Sequence, residues 1–296
     1  MSDKKPNFIF ILVDDLGWKD LTCYGSDFYE TPNIDRLFSQ GMHFTDAYAA
    51  CPVCSPTRAS IMSGKYPARV GVTNFISDVH PEKGKLIGAP YIHYLPLEEK
   101  SIASALNDGG YNTWHLGKWH LGEEKYYPEN HGFDVNIGGC YRGAPGSDGY
   151  FSPYNIDTLA DGSDGEYLTD RLTDEAIKLI KNNQGENPFF LNLWYYSVHT
   201  PLYAKKEYIK KYEKKVKEME LDQVKTFEIG DYYPMEKKKE FRIKRRIIQS
   251  NPVYAAMIEI LDENIGRLLN FLEQSGKADN TVIIFYSDNG GLSTAG

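Results

Sequence analysis

Hydrophobic positions along the chain form two kinds of block, unbroken apolar runs and stripes with a helical period. Asn7 to Val13 (NFIFILV) is continuous and β-rich, the pattern of a strand buried on both faces of a parallel sheet, and it stops at Asp14-Asp15-Leu16-Gly17. Thr31-Pro32-Asn33 then opens a helix, with Thr31 as N-cap and Pro32 at the first helical position, and Gly41 closes it. Met42 to Ala47 is a candidate strand. Ser55-Pro56 offers a second cap-plus-proline start, for a helix running to about Gly64. Ile102, Ala105 and Leu106 mark a short amphipathic helix ended by Gly109-Gly110, and Tyr111 to Leu116 reads as the strand after it. Tyr167 to Ile180 is helical by period, and Pro188 to Tyr196 (PFFLNLWYY) is a buried strand. Tyr254 to Leu272 is a long helix, and Thr281 to Tyr286 (TVIIFY) is a final buried strand before Ser287-Asp288-Asn289-Gly290.

Strands alternate with helices, which predicts an α/β fold with a mostly parallel central sheet flanked by helices. In such sheets ligands bind beyond the carboxyl ends of the strands. Asp14, Asp15, His199, Asp288 and Asn289 all follow directly on predicted strands. Residues 205–246 break the pattern, being dense in Lys and Glu, and are expected to form a charged helical insertion with a solvated face. The sharper alternative for them is a lid whose lysines meet an anionic substrate.

Length and composition narrow the classes. The 296 residues, 41% hydrophobic and 25% charged, suffice for one large domain with its own core. A net charge of −8 disfavours a nucleic-acid partner, although a locally positive site for a small anion is compatible with it. No apolar run reaches the roughly 18 residues that span a bilayer, so no membrane partner is expected. Met1 to Pro6 shows no signal-peptide pattern. The expected compartment is the cytoplasm if that start is native, and secreted or periplasmic if a leader has been removed. The four cysteines, Cys23, Cys51, Cys54 and Cys140, make no disulfide framework in a chain this long, and Cys51 and Cys54 form a lone CxxC.

The chemistry concentrates at Pro52-Val53-Cys54-Ser55-Pro56-Thr57-Arg58. Cys54 precedes a predicted helix start, where free N–H groups and the helix dipole favour an anion, and Arg58 lies one turn on. Taken alone this could be a buried cysteine beside a capping turn. The C-x-P-x-R pattern, followed by Ile61-Met62-Ser63-Gly64, resembles the signature of the type I sulfatases, formylglycine-dependent members of the alkaline phosphatase superfamily. Gly110 to His120 (GYNTWHLGKWH) resembles the family's second signature. Asp14-Asp15, His199-Thr200-Pro201 and Ser287 to Gly290 match further segments, in the family's order and over nearly the whole chain.

The resemblance implies an alkaline-phosphatase-like sulfatase N-terminal domain over residues 1–296, with Cys54 converted to formylglycine by a formylglycine-generating enzyme. The hydrated aldehyde would attack sulfur through one hydroxyl and displace the alcohol; loss of the other hydroxyl's proton would then expel sulfate. Asp14, Asp15, Asp288 and Asn289 would ligate a divalent cation together with the oxygen of modified Cys54. This all-oxygen set suits Ca2+ first, with Mg2+ or Mn2+ also accommodated. Arg58 and Lys118 would steady the diol and the sulfate, His120 would act as general base, and His199 would assist the leaving alcohol. His43, His80, His93, His115 and His131 are read as structural. The family carries another lysine downstream of the SDNG segment, and this sequence reaches Gly296 without it. The expectation is a chain truncated at its C-terminal end and lacking the small C-terminal subdomain, whose activity alone is in doubt.

The leading function is hydrolysis of a small-molecule or oligosaccharide sulfate ester, with a sulfated carbohydrate as substrate. The alternative within the same chemistry is a formylglycine-dependent phosphodiesterase or phosphonate monoester hydrolase. In another class stands a non-catalytic sulfated-glycan binder in which Cys54 stays a thiol, and last a CxxC redox protein. Substrate-contacting candidates are Cys140-Tyr141-Arg142-Gly143, Tyr150 to Tyr154 and Tyr203, for which loop packing is the competing explanation.

Overall fold

A computed structural model describes residues 4–77, 88–146, 149–233 and 238–292. His80, read as structural from the sequence, lies outside these. Five strands form the central sheet: β1 (Asn7–Val13), β2 (Asn112–Gly117), β3 (Val135–Ile137), β4 (Phe189–Tyr195) and β7 (Thr281–Ser287). Their order is β3-β2-β4-β1-β7, and every pairing is parallel. The α/β class and the parallel sheet expected from the alternation are therefore present. β3 escaped the sequence reading because three residues carry no readable period.

Side chains alternate across the sheet into two cores. Ile9, Ile11 and Val13 of β1 point to the face covered by α5 (Leu168–Asn182) and α7 (Pro252–Gln274), with α1 (Pro32–Gln40) and α6 (Lys206–Glu218) packed on α7. Leu12, Phe190 and Trp194 point to the other face, against Ala59 and Met62 of α2 (Cys54–Ser63) and Ala103 of α4 (Ile102–Asp108). The short helix α3 (Pro67–Val70) follows α2. β4 is buried along its whole length, as an apolar run in the sheet interior should be.

Several expectations are corrected. β7 is not buried on both faces: it is a sheet edge among the described residues, and Val282 and Ile284 are exposed. Met42 to Ala47 forms no strand and is exposed throughout. Among the described residues of the insertion 205–246, α6 is the α-helix, and the chain continues as an antiparallel ribbon of β5 (Phe227–Tyr232) and β6 (Arg242–Arg246). Phe227 and Ile229 flank Glu228 in a strand-like alternation, which a register shift between Ile229 and Tyr232 interrupts. On α6, Lys211 pairs with Glu30 and Glu259, and Lys215 with Glu30, while Tyr212 is buried. Those lysines hold the helix onto the body of the protein.

Capping also differs from the local reading. Thr31 occupies the N-cap position of α1, but its hydroxyl bonds Thr22 and Asp35, and its side chain does not cap. The cap comes from 229 positions away. The buried Asp262 carboxylate on α7 accepts from the Asn33 backbone N–H at 3.0 Å, the Ile34 N–H at 2.8 Å and the Asn33 amide at 2.8 Å. A carboxylate at a helix N-terminus is favoured by the same orphan donors a local cap would satisfy. Asp262→Ala is expected to cost about 2–3 kcal/mol, read as a lower denaturant midpoint at unchanged slope.

Two buried histidines set a pH dependence. His115 packs edge-on to Trp119, Phe133 and Trp194, and burial pushes its imidazole down to about 3. Burial likewise pushes His131 down to about 4. Each binds its proton less readily folded than unfolded, where the value is about 6.5. Their stabilisation is thus full above pH ~6.5 and is lost as pH falls towards 3–4. The melting temperature is expected to drop across that window, and His115→Phe, which keeps the aromatic packing, should flatten the slope by about one proton.

Candidate active site

The parallel sheet delivers the chemistry to one edge. Val13 of β1 is in register with Tyr195 of β4 and Ser287 of β7, and Gly117 of β2 with Trp194 of β4. The residues that follow each strand therefore emerge side by side. Asp14 N–H donates to the Ser197 carbonyl and Val198 N–H to the Asp14 carbonyl, while Asp288 N–H donates to the Val13 carbonyl. The carboxylates of Asp14, Asp15 and Asp288 come within 4.8 Å of one another.

Two fully buried cations face them. Lys118 Nζ lies 2.5 Å from Asp14 Oδ2. Arg58 donates from Nη2 and Nε to Asp288 Oδ2 at 2.9 and 3.2 Å, and from Nη1 to the Lys118 carbonyl at 2.8 Å; Nη2 is also 3.4 Å from Asp14 Oδ1. Its guanidinium lies over the Trp194 ring. Burial alone would lower both cations' pKa values, but the carboxylates overcome it: Asp288 and Asp14 raise Arg58, and Asp14 raises Lys118. Burial and the neighbouring Asp14 push Asp288 up to about 6 despite Arg58. Both cations are charged at neutral pH.

Gly117 makes the approach of Lys118 geometrically feasible. Its φ of +98° suits glycine, and a Cβ there would meet the Trp194 carbonyl oxygen at 2.0 Å. Four described non-glycine residues have left-handed φ, and two of them, Asp15 and His120, belong to this site. Such conformations cost about 1 kcal/mol or more and persist where surroundings fix them. Asp15 is fixed by its N–H to Asp288 Oδ1, by Asn289 Nδ2 donating to its Oδ1 at 2.6 Å, and by Tyr254 Oη donating to its carbonyl.

Cys54 begins α2, two residues earlier than the Ser55-Pro56 signal suggests. Ser55 does not cap the helix; its hydroxyl accepts from the Ile76 N–H instead. Thr57 Oγ1 bonds both the N–H and the carbonyl of Cys51, holding the loop ahead of the helix. Cys54 and Cys51 are both free thiols. Cys54 Sγ lies 3.2 Å from His120 Nδ1, and His120 Nε2 lies 2.8 Å from the Ile76 carbonyl. A carbonyl can only accept, so Nε2 carries the proton. Burial and the Lys118 ammonium push the imidazole down to about 3, so the ring is neutral and Nδ1 is an acceptor aimed at residue 54.

The structure thus brings Asp14, Asp15, Asp288, Asn289, Arg58 and Lys118 into one network, with Cys54 and His120 as a pair beside it. Cys54 is not among the mutually close ligand atoms; its Sγ is turned to His120. His199 stands at the rim, its Nδ1 donating to the Thr200 carbonyl and its Nε2 3.7 Å from Asp15 Oδ2. Tyr150, an aromatic weighed as a substrate contact, is fully buried and donates to the Tyr196 and His199 carbonyls, shaping the loop that carries His199. Tyr154 is buried too, bonded to Glu166. Sequence reading missed the Ile76 carbonyl, and it singled out Gly143 as a substrate contact without the packing on His120 that a Cβ there, 2.4 Å from Cε1, would disrupt. A backbone acceptor and a close approach across 23 positions leave no local signal.

The residues fit a hard cation. Asp14 Oδ1 and Asn289 Oδ1 are shielded from solvent and have no hydrogen-bond partner. Unsatisfied buried acceptors are costly, and an ion at this point would satisfy both. Three carboxylates also outnumber the two buried cations by one, so a divalent ion turns the cluster net positive.

The sequence profile of the Sulfatase family matches residues 6–295. Human N-acetylgalactosamine-6-sulfatase is 29% identical over 311 residues, covering 96% of this chain and 50% of the relative. Mouse Arylsulfatase J is 30% identical over 304 residues, covering 99% of this chain and 44% of the relative. The chain therefore spans about half the length of these curated relatives. The solved structure of Ps i-CgsB in complex with k-i-k-neocarrahexaose aligns at a TM-score of 0.72 and 30% identity, covering 99% of this chain and 61% of that one. The phosphonate monoester hydrolase of Agrobacterium radiobacter aligns at a TM-score of 0.62 and 18% identity, covering 96% of this chain and 62% of that one, and shares the fold. With its profile match along nearly the whole sequence, this chain belongs to the sulfatase family, type I sulfatases of the alkaline phosphatase superfamily.

Proposed function

We propose that the protein hydrolyses a sulfate ester of a carbohydrate, using formylglycine derived from Cys54 and one calcium ion. The observation that carries this reading is the pairing of residue 54, at a helix N-terminus, with a neutral His120, beside a network of two buried cations and three carboxylates. A simple thiol site would need neither the cations nor the carboxylates. The sugar follows from the relatives: one is named for a sulfated amino sugar and one structure holds a carrageenan oligosaccharide.

Asp14, Asp15, Asp288 and Asn289 would hold the ion, with residue 54 completing the set once modified. When bound, it would supply positive charge that polarises the sulfate oxygens and acidifies the attacking hydroxyl. Hydrated formylglycine, when present, provides two hydroxyls on one carbon, one to attack sulfur and one to drive sulfate off.

The chain's own residues do the rest. The first turn of α2 sets residue 54 against the positive end of a helix dipole, where an anionic ester is favoured. Arg58 and Lys118, held rigid by Asp14 and Asp288, offer fixed charge to the sulfate without reorganising, the condition under which electrostatic stabilisation is strongest. His120 Nδ1, its tautomer fixed by the Ile76 carbonyl, takes the proton from residue 54 when sulfate leaves. His199, tethered by Thr200, would contact the bridging oxygen and assist the leaving alcohol. Residues 1–296 act as the catalytic domain, with 205–246 a charged insertion within it.

The test is sulfate release by the full-length protein from aryl sulfates and sulfated saccharides, after the peptide holding Cys54 shows the loss of about 18 Da that separates formylglycine from cysteine. Matched phosphonate esters should turn over more slowly; the reverse order would favour the phosphonate hydrolase alternative. Absence of sulfate release from a protein with confirmed formylglycine would overturn the proposal. Chelation should abolish turnover and calcium should restore it, whereas His120→Ala should lower kcat by about 10²–10⁴-fold while leaving the melting temperature within a few degrees.

A further inference from the structure

We propose that Arg142 forms a second anion subsite, so that the preferred substrate is a sugar bearing another negative group near the scissile sulfate. This rests on the sulfate-ester reading and goes beyond it by naming the substrate class. His120 forms part of the wall of an open cavity of about 790 Å³, shared with His93, Tyr94, Tyr126, Tyr141 and Arg142. The ring that touches Cys54 is therefore also a wall of this space. A molecule whose ester reaches residue 54 would extend its remaining atoms here.

The Arg142 side chain is half-buried and makes no hydrogen bond or ion pair among the described residues; its contact is with the Tyr141 ring, 5.4 Å away. Its Nε is shielded from solvent and has no partner. A donor that has lost water and gained nothing in exchange is destabilising by itself, and an anion's oxygen would relieve it. Arg58 contrasts with it, having every donor group engaged by Asp14, Asp288 or the Lys118 carbonyl. Arg58 is thus held at the carboxylate cluster, whereas Arg142 has no such partner among the described residues. Glu123 also lines the cavity, but it is exposed and not paired with Arg142.

The rest of the lining suits a sugar ring. Tyr94 and Tyr126 stack at 3.9 Å with planes 9° apart, and Tyr94 and Tyr141 present exposed rings. Such surfaces bury the C–H face of a pyranose, while a guanidinium takes a sulfate or carboxylate through two parallel N–H bonds. Gly143, pressed on the His120 ring, fixes where the Arg142 loop runs relative to the reacting position. Arg142 is accordingly a specificity residue that holds the substrate's second anion.

The experiment measures binding by calorimetry in full-length Cys54→Ala protein, with and without Arg142→Gln. The probes are sulfated galactose and hexosamine monosaccharides, their disulfated counterparts, and sulfated disaccharides that carry a uronate. Disulfated or uronate-bearing probes should bind at least tenfold more tightly than the monosulfated sugars. Arg142→Gln should erase that preference and Arg142→Lys should restore part of it; which class gains identifies the second group as sulfate or carboxylate. Equal affinities for all probes, no detectable binding, or a preference that survives Arg142→Gln would overturn the subsite. A companion kinetic arm separates this from the parent reading. In protein with formylglycine at position 54, Arg142→Gln should raise KM for the preferred saccharide about tenfold and leave kcat/KM on a small aryl sulfate within twofold.

Discussion

Everything at the sheet's carboxyl edge depends on the buried contact of Arg58 and Lys118 with Asp14 and Asp288. Four fully buried charges pair off, two of each sign, and none could remain charged there alone. Pairs of this kind contribute little net stability, since desolvation offsets the attraction, but removal of one partner leaves a charge uncompensated. Their value is positional. The strands carrying Asp14 and Asp288 are adjacent, the helix carrying Arg58 lies across one face, and the turn carrying Lys118 leaves the next strand but one. The ion pairs tie these elements together at the place where an anion is to be received.

Burial is the main reason His120 is neutral, and the charged Lys118 adds to it. Lys118 is two residues away, its ammonium is charged, and it opposes a second positive charge on the neighbouring ring. The ring is left with a donor fixed on the Ile76 carbonyl and an acceptor turned to residue 54, an arrangement that depends on the cations without touching the carboxylates.

How much was legible in advance varied with the range of the interaction. β1, β4 and α7 were readable because an apolar run or a 3.6-residue stripe is a local record of burial. Thr31 was readable as a helix start but not as an uncapped one, because the carboxylate that caps α1 sits on α7. β7 looked like an interior strand, since its run of Val, Ile and Phe does not state whether a neighbour covers each face. Tyr150 and Tyr154 looked like surface aromatics because a tyrosine in a loop is equally at home buried, provided its hydroxyl finds an acceptor.

The sequence by itself determined the class of fold and the inventory of chemistry: apolar runs closed by Asp-Asp, Ser-Asp-Asn-Gly and His-Thr-Pro, and Cys54 spaced four residues from Arg58 so that both share a helical turn. Only the tertiary structure decided which of those groups meet. Strand order and register put residues 14, 118 and 288 within contact distance although they are 104 and 170 positions apart along the chain. It also decided the state of each group, for a thiol, an imidazole or a guanidinium takes its charge and its partner from what surrounds it. Those surroundings are assembled from every part of the chain, so the composition of any single segment does not contain them.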